Sequence, residues 1–546
     1  MINSGPLDKF YHWEKTAPHT VFLRQPIKGQ WVEYSYGQAG KEIRNIATAL
    51  KALSLAPGSN IAILSKNCAH WIMADLAIWM AGHVSIPIYP SLSASAIRYL
   101  LEHSNSKAIF LGKLDDYGKQ ESGMPELITK ISFPKYGPNK GLLWEQLLTD
   151  NPPHEDFHPT PEALATVIYS SGTTGTPKGV MLTFGALDFF AEAALKSFGI
   201  DKAYPFFSYL PLAHIAERAY IEMSVLYSGS NVSFAESLEK FAENLGEVKP
   251  VLFGGVPRIY AKFQEGALSK LSQKKLDVLL SIPILNGLLK KFLQKKIGLS
   301  NAKVIVCGAA PISISLLLWY QKIGINIHEI YGMTENCGYS HGDHGTHFKY
   351  GTVGRAWPGV ESKISDDGEI LVKHGALMTG YFKDPETTVT VFTPDGYLKT
   401  GDKGTLDQEG FLTITGRLKD QFKTDKGKFI APAAIEMKLL GNTDIEQVCV
   451  VGMGVPQPIA LINLSAAGKA KSKNEITQSL TTSFEQVNQT LESFERLATT
   501  VIMKKEWTID NGLMTPTLKV KRNELEKIHL PHYPKWYHEE GFVVWE

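Results

Sequence analysis

Short apolar runs rich in β-branched residues alternate with longer stretches of helical periodicity between residues 34 and 256. Such alternation is typical of βαβ units, in which parallel strands form a sheet and helices cover its faces. The sequence predicts strands at 60–64, 84–88, 108–111 and 165–169, and helices at 37–52, 71–82, 94–103 and 187–195. A second set follows, with a strand at 303–307, a helix at 313–323 and a strand at 325–330.

The pattern changes between residues 351 and 415, where short strands such as 368–373 and 410–415 are separated by turns of Gly, Asp and Pro. This spacing is typical of a small antiparallel sheet or barrel. About 125 residues follow the segment "GRLKD" at 416–420, enough for a separate small domain. In that last part the sequence predicts strands at 448–452 and 459–464 and a polar helix at 474–497.

We therefore predict an α/β fold with two domains. The large N-terminal domain, residues 1–418, would combine two parallel-sheet α/β subdomains with a small β-barrel. A small, mobile α+β domain would span residues 419–546, with a hinge near residue 419.

The charge balance narrows the possible partners. Lysine and arginine number 56 and aspartate and glutamate 55, a formal net charge of +1, so we expect no nucleic-acid partner. The four cysteines lie far apart without CxxC spacing, which argues against a disulfide framework or a structural zinc site. A reducing cytoplasm is the compartment that fits this cysteine usage.

Three segments bear on export and membranes. Residues 1–13 are polar and lack the apolar core of a secretory signal, so we expect a cytoplasmic protein. The longest apolar stretch, 71–89, is interrupted by Asp75, His83 and Pro87, which predicts a buried helix running into a strand and no transmembrane helix. The stretch "ILNGLLKKFLQKKI" at 284–297 has apolar residues at helical spacing and four lysines opposite. That pattern fits either a helix packed on the following sheet or a peripheral membrane contact.

A loop of small and hydroxyl residues is the first candidate site. "YSSGTTGTPKGV" at 169–180 follows a predicted strand, where backbone N–H groups can converge on an anion. Lys178 lies between a proline and a glycine, so the loop is not the GxxxxGK[ST] motif of P-loop proteins. Glycines, hydroxyls and one cation can still hold a phosphate, and the alternative is a flexible surface turn.

Two turns at predicted strand ends form the second candidate. In "YGMTENCG" at 331–338, Tyr331 offers a face for a nucleobase, Thr334 a hydroxyl for a phosphate and Glu335 an oxygen ligand for Mg²⁺. The segment could equally be a strand-to-turn junction with a capping threonine. "CGAAP" at 307–311 is another tight turn, placed so that a ligand could lie between the two.

Charged residues in the last third supply the remaining candidates. Asp402 in "KTGDKG" can accept both hydroxyls of a ribose, and Arg417 in "GRLKD" can reach ribose or phosphate, although an isolated TGD is more often a hairpin turn. "LMTPTLKVKR" at 513–522 brings Lys519, Lys521 and Arg522 together. Alone, that run would be a solvated basic tail.

These segments, read together and in this order, resemble the signature motifs of the acyl-adenylate-forming superfamily, which includes acyl-CoA synthetases and firefly luciferase. The resemblance extends from about residue 34 to 530 and rests on "SSGTTGTPKG", "YGMTE", "TGD", "GRLKDQFKTDKGKFIAPAAIE" and "TPTLKVKR". "LPLAHIAER" at 210–218 and "GGVPRIY" at 254–260 are similar to the long-chain fatty acyl-CoA synthetase branch in particular.

The resemblance implies a reaction in two steps. Members activate a carboxylate with Mg²⁺ and ATP to give acyl-AMP and pyrophosphate, and a thiol, usually that of CoA, then displaces AMP. ATP, Mg²⁺ and CoA are therefore the expected cofactor and co-substrates, and a long-chain fatty acid is the expected acyl substrate. A carrier protein as the acyl acceptor and a non-catalytic homologue that binds nucleotide and acyl chain are the alternatives.

The resemblance also implies roles for single residues. The loop at 171–178 would grip the β- and γ-phosphates, Tyr331 would stack on adenine opposite the "GAAP" turn, and Lys519 would bridge carboxylate and α-phosphate, with Lys521 as the alternative. Lys419 falls at the family's hinge. The expected residues are, for catalysis, Lys519, Thr334, Glu335 (also the Mg²⁺ ligand) and His214 at the acyl pocket, and, for nucleotide binding, Ser171, Gly172, Thr173, Thr174, Gly175, Thr176, Lys178, Gly308, Ala309, Ala310, Tyr331, Gly332, Asp402 and Arg417.

Overall fold

The computed structural model describes residues 5–150, 155–170, 177–343, 347–515 and 517–546. Its largest sheet has six parallel strands, and two further strands extend one edge, each pairing antiparallel with its inner neighbour. In spatial order the strands are Gly380–Tyr381, Lys178–Thr183, Leu164–Ser170, Val84–Ile88, Asn60–Leu64, Ala108–Leu111, Thr129–Ser132 and Leu142–Leu143. The helices met along this part of the chain are Pro6–Thr16, Tyr36–Ala52, Ala69–Met80, Ala94–Ser104, Tyr117–Glu121, Trp144–Asp150 and Phe184–Phe198. The four strands predicted here are confirmed.

The helix Ala69–Met80 lies at the centre of the N-terminal core, and all of its residues are buried. A helix that is apolar on every side is stable only when protein surrounds it. Its one acidic residue, Asp75, forms an ion pair with the equally buried Arg218. The prediction of a buried helix is confirmed, and no helix in the described ranges is long and apolar enough to cross a membrane.

Two further sheets complete the α/β part. One has the spatial order Pro205–Ser208, Asn231–Phe234, Val21–Ile27 and Gln30–Ser35, and the other Leu252–Gly255, Val304–Cys307, His328–Tyr331, His341–Gly342 and Arg355–Ala356. The first three strands of each are parallel. The helices of this region are Ile215–Glu217, Ser224–Ser228, Phe241–Val248, Pro257–Leu268, Gln273–Ser281, Pro283–Ile297 and Ile314–Lys322, with a π-helical turn at Arg218–Met223.

The small β unit predicted after residue 351 is an antiparallel sheet of four strands, Glu361–Ile364, Glu369–Lys373, Leu398–Leu406 and Leu412–Arg417. A helix that we did not predict, Pro385–Val391, interrupts it. That helix begins with Pro385 in its first turn and with the Asp384 side chain accepting a hydrogen bond from the Thr387 N–H, two signals of a helix start.

The C-terminal residues form two more sheets. One pairs Phe422–Lys423 with Phe429–Ile430, and the other has the order Ile445–Val451, Ile459–Leu464, Thr500–Ile502 and Val543–Trp545. The helices are Pro432–Leu439, Ala466–Lys469, Lys473–Gln489, Arg522–His529 and Tyr533–His538, with a 3₁₀ turn at Leu530–His532. Each hydrophobic cluster of the described residues lies wholly before residue 418 or wholly after it.

The helix predicted at 474–497 is wrong in its last turns, because it ends at Gln489. The Asn488 side chain donates to the Leu497 carbonyl at 3.0 Å and accepts from the Leu497 N–H at 2.9 Å. An asparagine that satisfies backbone groups in this way stabilises a turn in place of further helix.

Candidate active site

The phosphate-loop candidate joins the two strands of a hairpin. Leu164–Ser170 and Lys178–Thr183 are antiparallel, with Ser170 opposite Lys178. A Cβ on Gly179 would lie 2.7 Å from Val167 Cγ1, so a larger residue here would displace the Val167 side chain of the partner strand. The candidates Ser171, Gly172, Thr173, Thr174, Gly175 and Thr176 lie outside the described residues, and the hairpin places the two ends of their segment side by side.

Lys178 lies beside two residues that sequence reasoning missed. Its Nζ is 3.8 Å from Asp384 Oδ2 and 4.9 Å from the centre of the Tyr381 ring. The Tyr381 hydroxyl donates to Glu335 Oε1 at 2.9 Å. Tyr381 therefore connects the phosphate-loop lysine to the candidate Mg²⁺ ligand. No motif marks it, since it reaches the site through the pairing of Gly380–Tyr381 with Val180 and Met181, two hundred residues earlier.

Thr334 and Glu335 lie in a 3₁₀ turn, Thr334–Asn336, just after the strand His328–Tyr331, and both are buried. A Cβ on Gly332 would lie 2.4 Å from the carbonyl carbon of Gly338, so only glycine allows the turn to close. Burial raises the pKa of the Glu335 carboxyl. The carboxylate is thus held in a place where a nearby cation would stabilise its ionised form.

Glu335 fits the way proteins bind Mg²⁺. That ion is usually held by one or two carboxylates together with substrate phosphates, not by a cage of protein ligands. Among the residues described, no group of three or more histidine, cysteine, aspartate or glutamate side chains could hold a metal. A single buried carboxylate beside a phosphate-binding loop is compatible with the phosphate-dependent mode.

Tyr331, Asp402 and Arg417 form one hydrogen-bonded group. The Tyr331 hydroxyl donates to Asp402 Oδ2 at 2.7 Å, and Arg417 Nε donates to Asp402 Oδ1 at 2.8 Å. Asp402 and Arg417 are direct cross-strand partners in the antiparallel sheet. The negative charge of Asp402 raises the pKa of Arg417. Three candidates separated by up to 86 positions in sequence therefore meet.

The "GAAP" turn lies next to this group. Gly308, Ala309 and Ala310 follow the strand Val304–Cys307, which is the parallel neighbour of His328–Tyr331. A Cβ on Gly308 would lie 3.0 Å from Ile330 Cγ1. Ala309 has φ +66°, a left-handed conformation that alanine rarely adopts. The two turns thus lie at the carboxyl ends of adjacent parallel strands, where α/β sheets bind ligands.

His214 caps a short helix and faces the same charges. Its Nδ1 accepts a hydrogen bond from the Ala216 N–H at 3.1 Å. Burial, together with the positive charge of Lys519, lowers the pKa of His214 to about 4. The imidazole is therefore neutral at physiological pH, and Lys519 rather than Lys521 is the lysine whose charge it senses.

Lys519 is presented by a tight hairpin of the C-terminal part. The Thr515 N–H donates to the Lys519 carbonyl at 2.8 Å, the Lys519 N–H donates to Thr515 Oγ1 at 3.0 Å, and Met514 pairs with Val520. Leu518 has φ +61°, a strained conformation for a leucine. Arg522, by contrast, has a side chain that is only 13% exposed and donates to Glu436 Oε1 in the C-terminal part at 2.6 Å.

The Lys519 ammonium lies among the N-terminal candidates. The Lys519 side chain remains accessible to water, yet loss of hydration, together with the charge of Arg417, lowers its pKa to about 8. The carboxylates of Asp402 and Glu335 oppose this shift. Within the described residues the ammonium makes no hydrogen bond or ion pair. A lysine poised in this way can receive an anion.

One ion pair connects the two parts of the chain near this hairpin. Arg258 Nη2, at the start of the helix Pro257–Leu268, contacts Glu446 Oε1 in the strand Ile445–Val451. The next residue, Gln447, contacts Met514 Sδ at 3.0 Å. Neither Arg258 nor Glu446 was a candidate, because ion pairs between distant charged residues leave no pattern in sequence.

The comparisons of this chain with known proteins agree on one family. A family model described as AMP-binding enzyme matches residues 10–382, and one described as AMP-binding enzyme C-terminal domain matches residues 419–538. A long-chain-fatty-acid–CoA ligase of Mycobacterium bovis is 29% identical over 94% of this chain and 93% of that protein. A peroxisomal long chain acyl-CoA synthetase 6 of Arabidopsis thaliana is 28% identical over 94% of this chain and 82% of that protein.

Solved structures show the same fold. The adenylation domain of a carboxylate reductase from Mycobacterium chelonae superimposes with a TM-score of 0.82 at 20% identity, covering 99% of this chain and 92% of that one. The o-succinylbenzoate CoA synthetase of Bacillus subtilis, in complex with its acyl-adenylate intermediate, gives a TM-score of 0.75 at 23% identity, covering 95% of this chain and 97% of that one.

Proposed function

The chain belongs to the AMP-binding enzyme family, and from that membership we propose that it is an ATP-dependent long-chain fatty acyl-CoA synthetase. It would convert a long-chain fatty acid and ATP to acyl-AMP and pyrophosphate, and then transfer the acyl group to CoA with release of AMP. The names of relatives at 28–29% identity over most of the chain support the long-chain substrate.

The observation that carries the proposal is the convergence of charges from both parts of the chain. Lys519, from the C-terminal part, lies close enough to Asp402, Glu335 and Arg417 for their charges to shift its pKa. Joining a carboxylate to an α-phosphate brings two anions together, and fixed cations between them lower the barrier. A non-catalytic binding protein would have no need to hold a lysine with a depressed pKa at this position.

Each residue then has a role in the first step. Asp402, held by Tyr331 and Arg417, would accept the ribose hydroxyls, while the adenine would lie between Tyr331 and the "GAAP" turn at 308–310. The loop at 171–178 would hold the departing pyrophosphate with its N–H groups, hydroxyls and Lys178. Glu335 would hold a Mg²⁺ ion, which supplies positive charge to the phosphates when bound. Lys519 would bring the fatty-acid carboxylate to the α-phosphate, and neutral His214 would line the acyl pocket.

The second step needs the same site to admit a thiol. We propose that residues 1–418 and 419–546 are separate domains and that the second rotates about Lys419, an exposed residue, to withdraw Lys519. CoA is the proposed acceptor. A carrier protein bearing phosphopantetheine presents the same thiol, and it is the second candidate because the chemistry at the adenylate would be identical. We place the enzyme in the cytoplasm.

The direct test is product analysis. Incubation with ATP, Mg²⁺, palmitate and CoA should give palmitoyl-CoA, AMP and pyrophosphate, and a series of fatty acids of increasing length should place the optimum among long chains. Absence of AMP release with every fatty acid would overturn the proposal. AMP release that requires a carrier protein and does not occur with CoA would replace CoA by that acceptor.

A further inference from the structure

We propose that the helical hairpin of Gln273–Ser281 and Pro283–Ile297 docks the protein on an anionic phospholipid membrane through an exposed apolar stripe. Ile284, Leu288 and Phe292 form the stripe, and they are 82%, 65% and 55% exposed. Their spacing of four places them on one face of the helix. Leu285 and Val278 on the two helices and Ile282 between them are also exposed, at 39%, 62% and 40%.

The opposite face of the second helix is anchored to the protein. Leu293 is buried in the hydrophobic cluster of the third sheet, and Leu289 packs against that cluster. Gln294 Nε2 donates to the Ile323 carbonyl at 3.1 Å. The helix thus packs on the fold, as one of the two sequence interpretations expected, while the residues that the structure describes leave its stripe exposed. An anchored helix presents its exposed side chains in a fixed geometry.

Elsewhere in the described residues, exposed apolar side chains are single or form smaller and less exposed pairs, such as Ile314 (49%) and Leu318 (43%) on the helix Ile314–Lys322. Leu127, Leu238 and Val389 are as exposed as the stripe, but they lie far apart in the chain and on different elements. Single exposed apolar residues are normal on protein surfaces, whereas contiguous ones mark an interaction surface. The stripe is therefore the feature that needs a partner.

The charge of the hairpin identifies that partner. Residues 273–297 hold six lysines and one acidic residue, Asp277, although the whole chain has a formal charge of only +1. Asp277 lies 3.3 Å from Lys322, so its charge is already paired. Lysines beside an apolar face suit a lipid surface, because their stems can lie along the acyl boundary while their ammonium groups reach anionic head groups.

A second copy of the chain fits this surface poorly. A two-fold contact through the stripe would bring the same lysines of both copies together, and like charges at an interface repel. Lys296 Nζ lies 5.7 Å from the centre of the Phe292 ring, directly at the edge of the apolar surface. An anionic membrane neutralises these lysines and covers the stripe at once.

Vesicle co-sedimentation tests membrane docking without any need for catalysis. The wild-type protein should sediment with phosphatidylcholine vesicles that contain about a quarter phosphatidylglycerol, more weakly with pure phosphatidylcholine, and less as salt is raised. The triple variant Ile284→Ser, Leu288→Ser, Phe292→Ser should bind at least about tenfold more weakly. Replacing Lys290, Lys291, Lys295 and Lys296 by glutamine should remove the preference for phosphatidylglycerol.

The matched control is the double variant Leu127→Ser, Leu238→Ser, which removes equally exposed leucines and should bind as the wild type does. Thermal unfolding of all variants verifies that they are folded. Equal vesicle binding by the triple variant and the wild type would overturn the proposal, as would no binding of the wild type to anionic vesicles. Sedimentation velocity showing a dimer that the triple variant dissociates, without vesicle binding, would assign the stripe to a second copy instead.

Discussion

Replacing Glu446 by glutamine should slow formation of the acyl-adenylate and leave the transfer to CoA intact. Arg258 and Glu446 connect the N-terminal helix Pro257–Leu268 to the strand that supports the Lys519 hairpin through Gln447 and Met514. The ion pair exists in the orientation that brings Lys519 to Asp402. Its loss should therefore favour other orientations of the C-terminal part.

The exposure of the two side chains sets the size of the effect. Arg258 is 40% and Glu446 27% exposed, so water and salt screen their attraction substantially. A partly exposed pair of this kind is worth about 1 kcal/mol. That energy corresponds to a change of about fivefold in the population of the adenylation orientation, which is the largest loss of adenylation rate we expect.

The assay separates the two half-reactions. ATP–pyrophosphate exchange with palmitate reports the first, and transfer from preformed palmitoyl-AMP to CoA reports the second. Glu446→Gln and Arg258→Gln should each reduce the exchange and leave the transfer unchanged, and the double variant should be no worse than either. Asp395→Asn is the matched control, because it breaks the exposed Lys363–Asp395 pair within the N-terminal part and should change neither reaction. Equal losses in both half-reactions, or additive losses in the double variant, would refute this reasoning.

Three further predictions concern single side chains. Lys519 has a pKa of about 8 and would act when protonated, so kcat/KM for adenylation should fall as pH rises above about 8. The variant Lys519→Arg should not show this fall. A fall in the same pH range with the arginine variant would contradict the assignment. Asp402→Asn should weaken ATP binding, measured by calorimetry, roughly tenfold or more, because the charge that orders Arg417 and Tyr331 is lost. An unchanged affinity for ATP would exclude Asp402 as the acceptor of the ribose hydroxyls. Gly332→Ala should lower the free energy of unfolding, measured in urea, by about 2 kcal/mol or more. The control Gly246→Ala, whose new Cβ has open space around it, should not. Equal effects of the two variants would contradict the close approach at the Gly332 turn.

Most strands and helices of the α/β part could be predicted, because each buried element appears in the sequence as a local run or periodic pattern of apolar residues. Asn60–Leu64, apolar after its first residue, and the fully apolar Ala108–Leu111 are examples, and the structure confirms both strands. The end of the helix at Gln489 could not be predicted in this way. It depends on Asn488 meeting the backbone nine residues later, and helical periodicity contains no sign of that contact.

The candidate site shows the same division. The motifs around Tyr331, Asp402 and Arg417 were identified in sequence, and the structure brings the three side chains together. Their roles in catalysis stay predictions. Tyr381 and Asp384 were missed because strand pairing across two hundred residues brings them to Lys178. Such contacts depend on the sheet order, which local periodicity does not specify.

The measurement that tests the account most directly is ATP–pyrophosphate exchange by Lys519→Ala. The loss of a positioned charge should reduce the exchange by about a hundredfold or more, while ATP binding and transfer from preformed acyl-AMP to CoA persist. Lys521→Ala, two residues away on the same segment, should exchange pyrophosphate at close to the wild-type rate. Undiminished exchange by Lys519→Ala, or a loss confined to Lys521→Ala, would contradict the claim that Lys519 completes an adenylation site built from both parts of the chain.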